Sequence, residues 1–377
     1  MSPVQEVMKE KALLKKIISQ FFPSEWPNVD EKAISVRKIA DGMVNTVMVV
    51  SRPSNQLQLE PCEMIVRMTG GMLVPVEEFS EFSKLSESEE ILVVNEMSRH
   101  KWGPQLYGVF AGGRLEEYIP SHTLSGWEWA CPDVRRDIAK SYARFHSLQP
   151  PLKRDKFQLL VQDMTEAMQR DPGHRQLMRE TILATGNKYS VEAADNMIDH
   201  PAEFPWHLSL FRRYQCTQTF TILDGNYLNI LVRAIPTSMG RIVLVDYELA
   251  KYGYRGADIG AHFVNRLIEW QNKEDKHSGA PYPSLDERMA FCRDYMDEWR
   301  SLGRMDREGG GTDTPDHLLL ESEVGALFYC CYMSAVLYRY MHVFLKDAAF
   351  VSSMKSLNDT YVSLKHAFLR AHPESAS

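Results

Sequence analysis

At 377 residues the chain is long enough for two domains with a sizeable buried core, and its 44% apolar, 25% charged composition is that of an ordinary globular protein. A formal net charge of −7 argues against nucleic acid as the main partner, because phosphate binding calls for a basic face. No apolar run approaches the length of a transmembrane segment, no signal-peptide pattern opens the sequence, and the six cysteines (Cys62, Cys131, Cys216, Cys292, Cys330, Cys331) show no CxxC pairing, so a reduced, cytoplasmic chain is expected.

In chain order, the first predicted element is a helix in which Val7, Leu14, Ile17, Ile18 and Phe21 recur at helical spacing. Lys9, Lys11, Lys15 and Lys16 would suit a membrane surface, but Glu6 and Glu10 dilute that face, and a helix capping the first lobe is expected instead. From Ile34 to Pro120 the pattern is of short β-runs: Ile34 to Ile39, Val44 to Ser51 and Met64 to Met68. Asp41-Gly42-Met43-Val44-Asn45 is a tight turn between the first two, and Arg67 lies in the third. Ser88 is the expected N-cap of a helix running to His100, with Glu90 in its first turn. Leu106 to Phe110 and Arg114 to Ile119 form a hairpin that leaves through Glu116-Glu117-Tyr118-Ile119-Pro120.

Helical periodicity dominates from Cys131, over Val134 to Leu148, Phe157 to Met168 and Gln176 to Thr185. Pro201 to Pro205 breaks the chain before one more helix. Further helices are expected over 265–272, 285–302, 318–345 and 351–371, separated by the solvated loops KEDKHSGAPYPS and DREGGGTDTPD.

Between these helical regions lies FTILDGNYLNILV followed by RIVLVDYELAKYGYRGADIGAHF. Asp224 and Asn229 precede a predicted strand (Ile230 to Val232), a turn over Pro236 to Gly240 leads to a second (Ile242 to Val245), and Asp246 ends it. Such a set suits metal-assisted phosphoryl transfer: one carboxylate takes the proton of the attacking hydroxyl, while an amide and a second carboxylate hold a hard cation on the nucleotide's phosphates. Taken singly, the same residues could be ordinary loop formers and a strand end.

The segment DYELAKYGYRGADIGAHF closely resembles its counterpart in choline and ethanolamine kinases, which carry the kinase-like fold of aminoglycoside phosphotransferases. DGMVNTVMVV resembles that family's phosphate-covering loop, EMIVRMTG its first Arg-bearing strand and GPQLYGVFAGGRLEEYIP its lobe connector, and the likeness runs from about 34 to 365. The resemblance implies a bilobal protein-kinase-like α+β fold, divided into an N-terminal helical extension (1–33), a small β-rich nucleotide-binding lobe (34–118), a larger helical catalytic and acceptor-binding lobe (119–371) and a tail (372–377). It implies ATP and Mg²⁺ as cofactors. Asp224 becomes the catalytic base, Glu248 a second active-site carboxylate, and Asn229 and Asp246 the metal ligands. Asn45, Arg67 paired with Glu90, and the backbones of Glu117 and Ile119 hold the nucleotide. Asp258 braces the catalytic loop, and His262 packs within a helix.

The resemblance also exposes departures. Ile222-Leu223 stand where the family has His-Asn before the catalytic Asp. In the acceptor pocket, formed by Leu249, Asn265, Trp270 and Tyr338, Leu249 replaces an aromatic, Asn265 a Glu and Tyr338 a Trp, while Ala335 takes the place of a second Trp. The activity implied is phosphorylation of the hydroxyl of a small amino alcohol, in the synthesis of phospholipid head groups, by a chain that is a homodimer if it follows its relatives. Two alternatives stand beside it: a weak or inactive member serving as a binding or partner subunit, and a kinase for another small hydroxylated substrate.

Overall fold

The computed structural model describes residues 3–41, 45–54, 59–69, 84–170, 172–184, 191–270, 272, 279–304, 311–339 and 348–375. They fall into two compact units, one of Met1–Phe79 with Ile91–Pro120 and the other of Ser80–Glu90 with Ser121–Ser377.

In the first unit, period-two alternation builds one antiparallel sheet from β1 (Ser35–Asp41), β2 (Asn45–Ser51), β3 (Glu63–Thr69), β4 (Leu106–Phe110) and β5 (Gly113–Glu117), in the order β1-β2-β3-β5-β4. Met48, Val50, Met64, Val66 and Leu115 form its buried face, and Leu14 and Ile18 of α1 (Pro3–Phe21) pack into the same core with Trp26 and Ile34. The N-terminal helix is therefore a core element of this unit, and the apolar positions that could have suited a membrane surface are spent on the sheet. Among the described residues no helix is long and apolar enough to cross a membrane.

The helix α2 (Glu87–Arg99) starts earlier than the sequence suggested. Ser86, not Ser88, opens it: the Ser86 backbone N–H donates to Glu89 Oε2 at 2.9 Å, and the Glu89 N–H returns to Ser86 Oγ at 3.4 Å. That reciprocal box satisfies two donors an uncapped helix would leave open.

The second unit is mostly helical: α3 (Pro132–His146), α4 (Lys156–Arg170), α5 (Pro172–Ala184), α6 (Val191–Asp199), α7 (Phe204–Arg213), α8 (Arg255–Asn265), α9 (Leu285–Ser301), α10 (Pro315–Arg339) and α11 (Ala348–Ala371). Two small antiparallel sheets are set among them. One joins β6 (Ser121–Thr123), β8 (Ile230–Thr237) and β9 (Gly240–Leu244), and the other pairs β7 (Gln218–Thr221) with β10 (Lys251–Tyr254). The helix expected over 265–272 is not formed. The chain leaves α8 at Asn265 through tight turns, Leu267 N–H to Val264 O at 3.1 Å and Ile268 N–H to Asn265 O at 3.0 Å, which places Trp270 back over the helix end.

The helix α8 carries most of the site's foundation, and it lies unusually close to α10. A Cβ on Gly256 would overlap the Glu321 carbonyl, one on Gly260 the Ala326 backbone, and one on Gly325 the Gly256 carbonyl. Backbone-to-backbone approach of this kind is open only to glycine. At the N-terminus of α8, the fully buried Arg255 side chain donates to Glu321 (2.7 Å) and Asp313 (2.8 Å), a pair that would be costly to break from one side only. Gly256→Ala is expected to destabilise the protein by about 1–3 kcal/mol through overpacking. Gly126→Ala, where a Cβ meets nothing within 4 Å, should be near neutral. Urea unfolding of both variants measures the difference.

Candidate active site

The short strand β7 ends at Thr221, and the next residues enter a loop whose backbone is fixed from below. Asp258, on α8 and only 2% exposed, accepts the Ile222 N–H through Oδ2 at 2.6 Å and the Leu223 N–H through Oδ1 at 2.8 Å. Its Oδ2 also meets His146 Nε2 at 3.1 Å, and His146 Nδ1 lies 2.9 Å from the Tyr295 hydroxyl. The Ile222 and Leu223 side chains are buried, while Leu223 adopts a φ of +55°. That left-handed conformation suits Asn better than Leu, and it turns the chain so that Asp224 follows. Gly225 then presses onto α8: a Cβ there would stand 2.5 Å from Asn265 Nδ2 and 2.7 Å from the Ala261 Cβ.

Beyond Gly225 the loop folds back on Asp224. The Asn226 N–H donates to Asp224 Oδ1 at 3.0 Å, and Asn229 Nδ2 to Asp224 Oδ2 at 2.7 Å. The Asn229 carbonyl accepts the Val245 N–H at 3.0 Å, which brings the end of β9, and with it Asp246, alongside. Asp246 has a φ of +66°, a conformation that β-strand continuation would not give and that marks constrained sites. Burial and the neighbouring Asp246 carboxylate push the Asp224 pKa up to about 7, against the pull of the hydrogen bonds from Asn226 and Asn229.

These observations test whether a divalent cation fits. Asn229 spends its amide nitrogen on Asp224, so its amide oxygen is the atom left to offer a ligand. That oxygen and the Asp246 carboxylate are hard donors of the kind Mg²⁺ takes, and a cation would offset the repulsion between Asp246 and Asp224. Among the described residues no three His, Cys, Asp or Glu side chains converge to hold a metal. Two protein ligands completed by phosphate and water oxygens is the usual Mg²⁺ arrangement, and the residues present fit it.

The remaining predicted residues are distributed as follows. Glu248 is half-buried, and its carbonyl accepts the Leu85 N–H at 2.6 Å. The Leu249 carbonyl takes a 2.7 Å hydrogen bond from Lys251, a fully buried lysine whose pKa burial and Lys156 push down to about 7. Arg67, Glu117 and Ile119 belong to the first unit, and Glu90, in the first turn of α2, belongs to the second. Arg67 stands beside Glu116. Burial disfavours the Glu116 carboxylate, but Arg114 and Arg67 hold its pKa below the usual range. The Glu117 N–H is already given to the Gln105 carbonyl at 2.8 Å, so anything Glu117 offers a ligand from its backbone comes from its carbonyl. The side chains of Asn45 and Tyr338 lie outside the described residues.

Asn265 requires a correction. The sequence placed it in the acceptor pocket, where it would receive donors from the substrate. In the structure it is 0% exposed, with both amide hydrogens engaged: Nδ2 donates to the Ala261 carbonyl at 3.1 Å and the Tyr329 hydroxyl at 2.7 Å, while Oδ1 accepts Trp270 Nε1 at 2.9 Å. With both amide hydrogens given and one of the oxygen's two lone pairs taken, the amide chiefly organises its neighbours. Ala335, at 2% exposed, is likewise a core residue. Three participants escaped the sequence reading. His146 sits in an ordinary amphipathic helix and Tyr329 in a largely buried apolar one, and Glu269, which accepts the hydroxyl of Tyr227, lies in the stretch misread as helix.

A family model described as choline/ethanolamine kinase matches residues 36–342. A choline/ethanolamine kinase of Rattus norvegicus is 29% identical over 284 residues, covering 74% of this chain and 67% of that protein. A human choline/ethanolamine kinase is 28% identical over 287 residues, with the same shares. Among solved structures, a choline kinase from Cryptosporidium parvum superposes with a TM-score of 0.66 at 16% identity, over 96% of each chain. An ethanolamine kinase from Plasmodium vivax gives 0.55 at 17% identity, over 91% of this chain and 85% of that one. The fold is thus the kinase-like α+β fold anticipated from the sequence.

If the Asp258 carboxylate sets the loop, Asp258→Asn should do measurable damage, because an amide has one accepting oxygen where two backbone donors need one each. The expected cost is about 1.5–3 kcal/mol for a hydrogen bond to a charged group, with a buried donor left unsatisfied. Thermal and urea unfolding against the parent chain check it, and unchanged stability would remove Asp258 from this role.

Proposed function

The chain belongs to the choline/ethanolamine kinase family and is a phosphotransferase acting on an alcohol group, and from that premise we infer that it transfers the γ-phosphoryl group of ATP, with Mg²⁺, to the hydroxyl of a small amino alcohol. The convergence of Asp224, Asn229 and Asp246 on one braced loop carries this reading. Asp224 accepts the hydroxyl proton, and a carboxylate whose pKa stands near neutrality is matched to that task. Asn229 and the Asn226 N–H hold both Asp224 oxygens, so the base meets the acceptor in one orientation. The Asn229 amide oxygen and the Asp246 carboxylate would hold the cation, and the bound Mg²⁺ would supply charge neutralisation to the phosphates. Arg67, Glu90, Asn45, Glu117 and Ile119 remain the residues proposed for the nucleotide, and Glu248 a second acid of the site. The phosphorylated product would serve phospholipid head-group synthesis.

Beside Asn265 and Ala335 in the pocket, the reading of an inactive member rests on Ile222 and Leu223 in place of two polar residues. Asp258 grips their backbone amides, a contact made by the main chain and not by the side chains that differ. That supports an active chain.

The pocket's chemistry favours a primary over a quaternary amine. Choline has no N–H donors and depends on π-faces and negative charge, each such contact worth about 0.5–2 kcal/mol. Leu249 is aliphatic, Ala335 is buried in the core and Asn265 is neutral and fully buried, which leaves Trp270 as the described aromatic of the set. Ethanolamine keeps three N–H donors for oxygen acceptors. Its kcat/KM is expected to exceed that of choline by roughly tenfold or more, and a panel of amino alcohols assayed on one preparation decides it. A clear preference for choline would contradict the pocket assignment, and no turnover of any amine would contradict the function.

A further inference from the structure

The buried hydrogen bonds of Asn265 leave a specific atom unspent. The Ala261 carbonyl can only accept and the Trp270 indole N–H can only donate, so the amide's two ends are fixed without ambiguity. The second Nδ2 hydrogen therefore goes to the Tyr329 hydroxyl, which accepts it at 2.7 Å. The hydroxyl then keeps its own hydrogen to give elsewhere. Tyr329 is 3% exposed, and among the described residues no side chain or backbone group takes that hydrogen. A buried donor is rarely left without an acceptor, because its desolvation goes uncompensated.

Its location points to where the acceptor comes from. Asn265 lies directly beneath Gly225, the residue after Asp224, and Tyr329 reaches the same amide from α10. Burial and the Asp224 charge push the Tyr329 hydroxyl well above its ordinary pKa, so it carries its hydrogen across the working pH range. A protonated amino alcohol contains one atom able to accept a hydrogen bond, its hydroxyl oxygen.

We propose that Tyr329 is a further catalytic residue, whose hydroxyl donates to the reacting oxygen of the acceptor beside Asp224, with Asn265 as the positioning residue that aims it. The proposal rests on the amino-alcohol reading. In the transfer, the acceptor's O–H hydrogen passes to Asp224 and one oxygen lone pair is held by Tyr329. The other lone pair forms the new O–P bond as the bond from phosphorus to the nucleotide's bridging oxygen breaks, and Tyr329 keeps its hydrogen throughout. Two fixed partners orient the third direction of the oxygen, which is what positioning contributes to such a reaction.

Calorimetric binding of ethanolamine and of ethylamine, which lacks the hydroxyl, to the full chain with Mg²⁺ and a non-hydrolysable ATP analogue tests this without requiring turnover. The parent chain should prefer ethanolamine. Tyr329→Phe should weaken ethanolamine binding by roughly tenfold, the worth of one hydrogen bond, and leave ethylamine unchanged. A purely structural role would move both ligands together, and that result, or unchanged ethanolamine affinity, overturns the proposal. Equal binding of the two amines by the parent chain overturns it as well, since the hydroxyl would then be unheld. Binding of neither amine removes the amino-alcohol reading and the proposal together, whereas ethanolamine turnover that survives Tyr329→Phe unaltered removes the proposal alone. Tyr329→Met, of similar bulk and without the hydroxyl, carries the same expectation should the Phe variant not fold.

Discussion

One carboxylate receiving two successive backbone N–H groups sets the loop on which the proposed function rests. Asp258 grips Ile222 and Leu223 just before the loop bends, and the bend delivers Asp224. The grip is as firm as the helix that bears it. The helix α8 is wedged against α10 through Gly256, Gly260 and Gly325, tied at its N-terminus by Arg255 to Glu321, and backed by His146 and Tyr295 from α3 and α9. A buried carboxylate is expensive in isolation, so its oxygens are shared among the two amides and an imidazole. The loop inherits the rigidity of the helical core rather than that of its own short strands.

Electrostatics oppose this arrangement locally. Burial of Asp224, and then the neighbouring Asp246 carboxylate, push the Asp224 pKa up to about 7. Left-handed backbone at Leu223 and Asp246 adds to the cost. Proteins concentrate such costs where function needs them, and under the proposed function one carboxylate serves as the base while the second, with an amide oxygen, suits a cation.

Much of this was legible in the sequence because its signals are local. The spacing of Asp224, Asn229 and Asp246 around two predicted strands is a property of one short stretch, and period-two alternation in Met48, Val50, Met64 and Val66 announces the sheet. What escaped involves partners far apart in the chain. His146 and Asp258 are 112 residues apart, and Asn265 and Tyr329 are separated by 64. The sequence around Asn265 does not show that its amide is buried against Ala261, Tyr329 and Trp270, so it read as a pocket residue where the structure has a buried hub. The turn after Asn265 was mistaken for helix because Leu267, Ile268 and Trp270 supply apolar residues at plausible spacing, while the hydrogen bond that turns the Trp270 indole back onto Asn265 is a local one that apolar spacing does not encode. The α2 cap was missed by two residues because Ser86 and Ser88 are both competent N-caps, and only the reach of Glu89 selects the first.

The central claim is that the braced loop presents Asp224 as the base of a phosphoryl transfer while other residues hold the metal and nucleotide. Its most direct measurement is a side-by-side comparison of Asp224→Asn with the parent chain, in amine phosphorylation and in Mg·nucleotide binding by calorimetry. The account predicts a kcat lowered by about 10²- to 10⁴-fold, the usual worth of a general base, with the nucleotide Kd close to that of the parent. Parent-level kcat in the variant would contradict it.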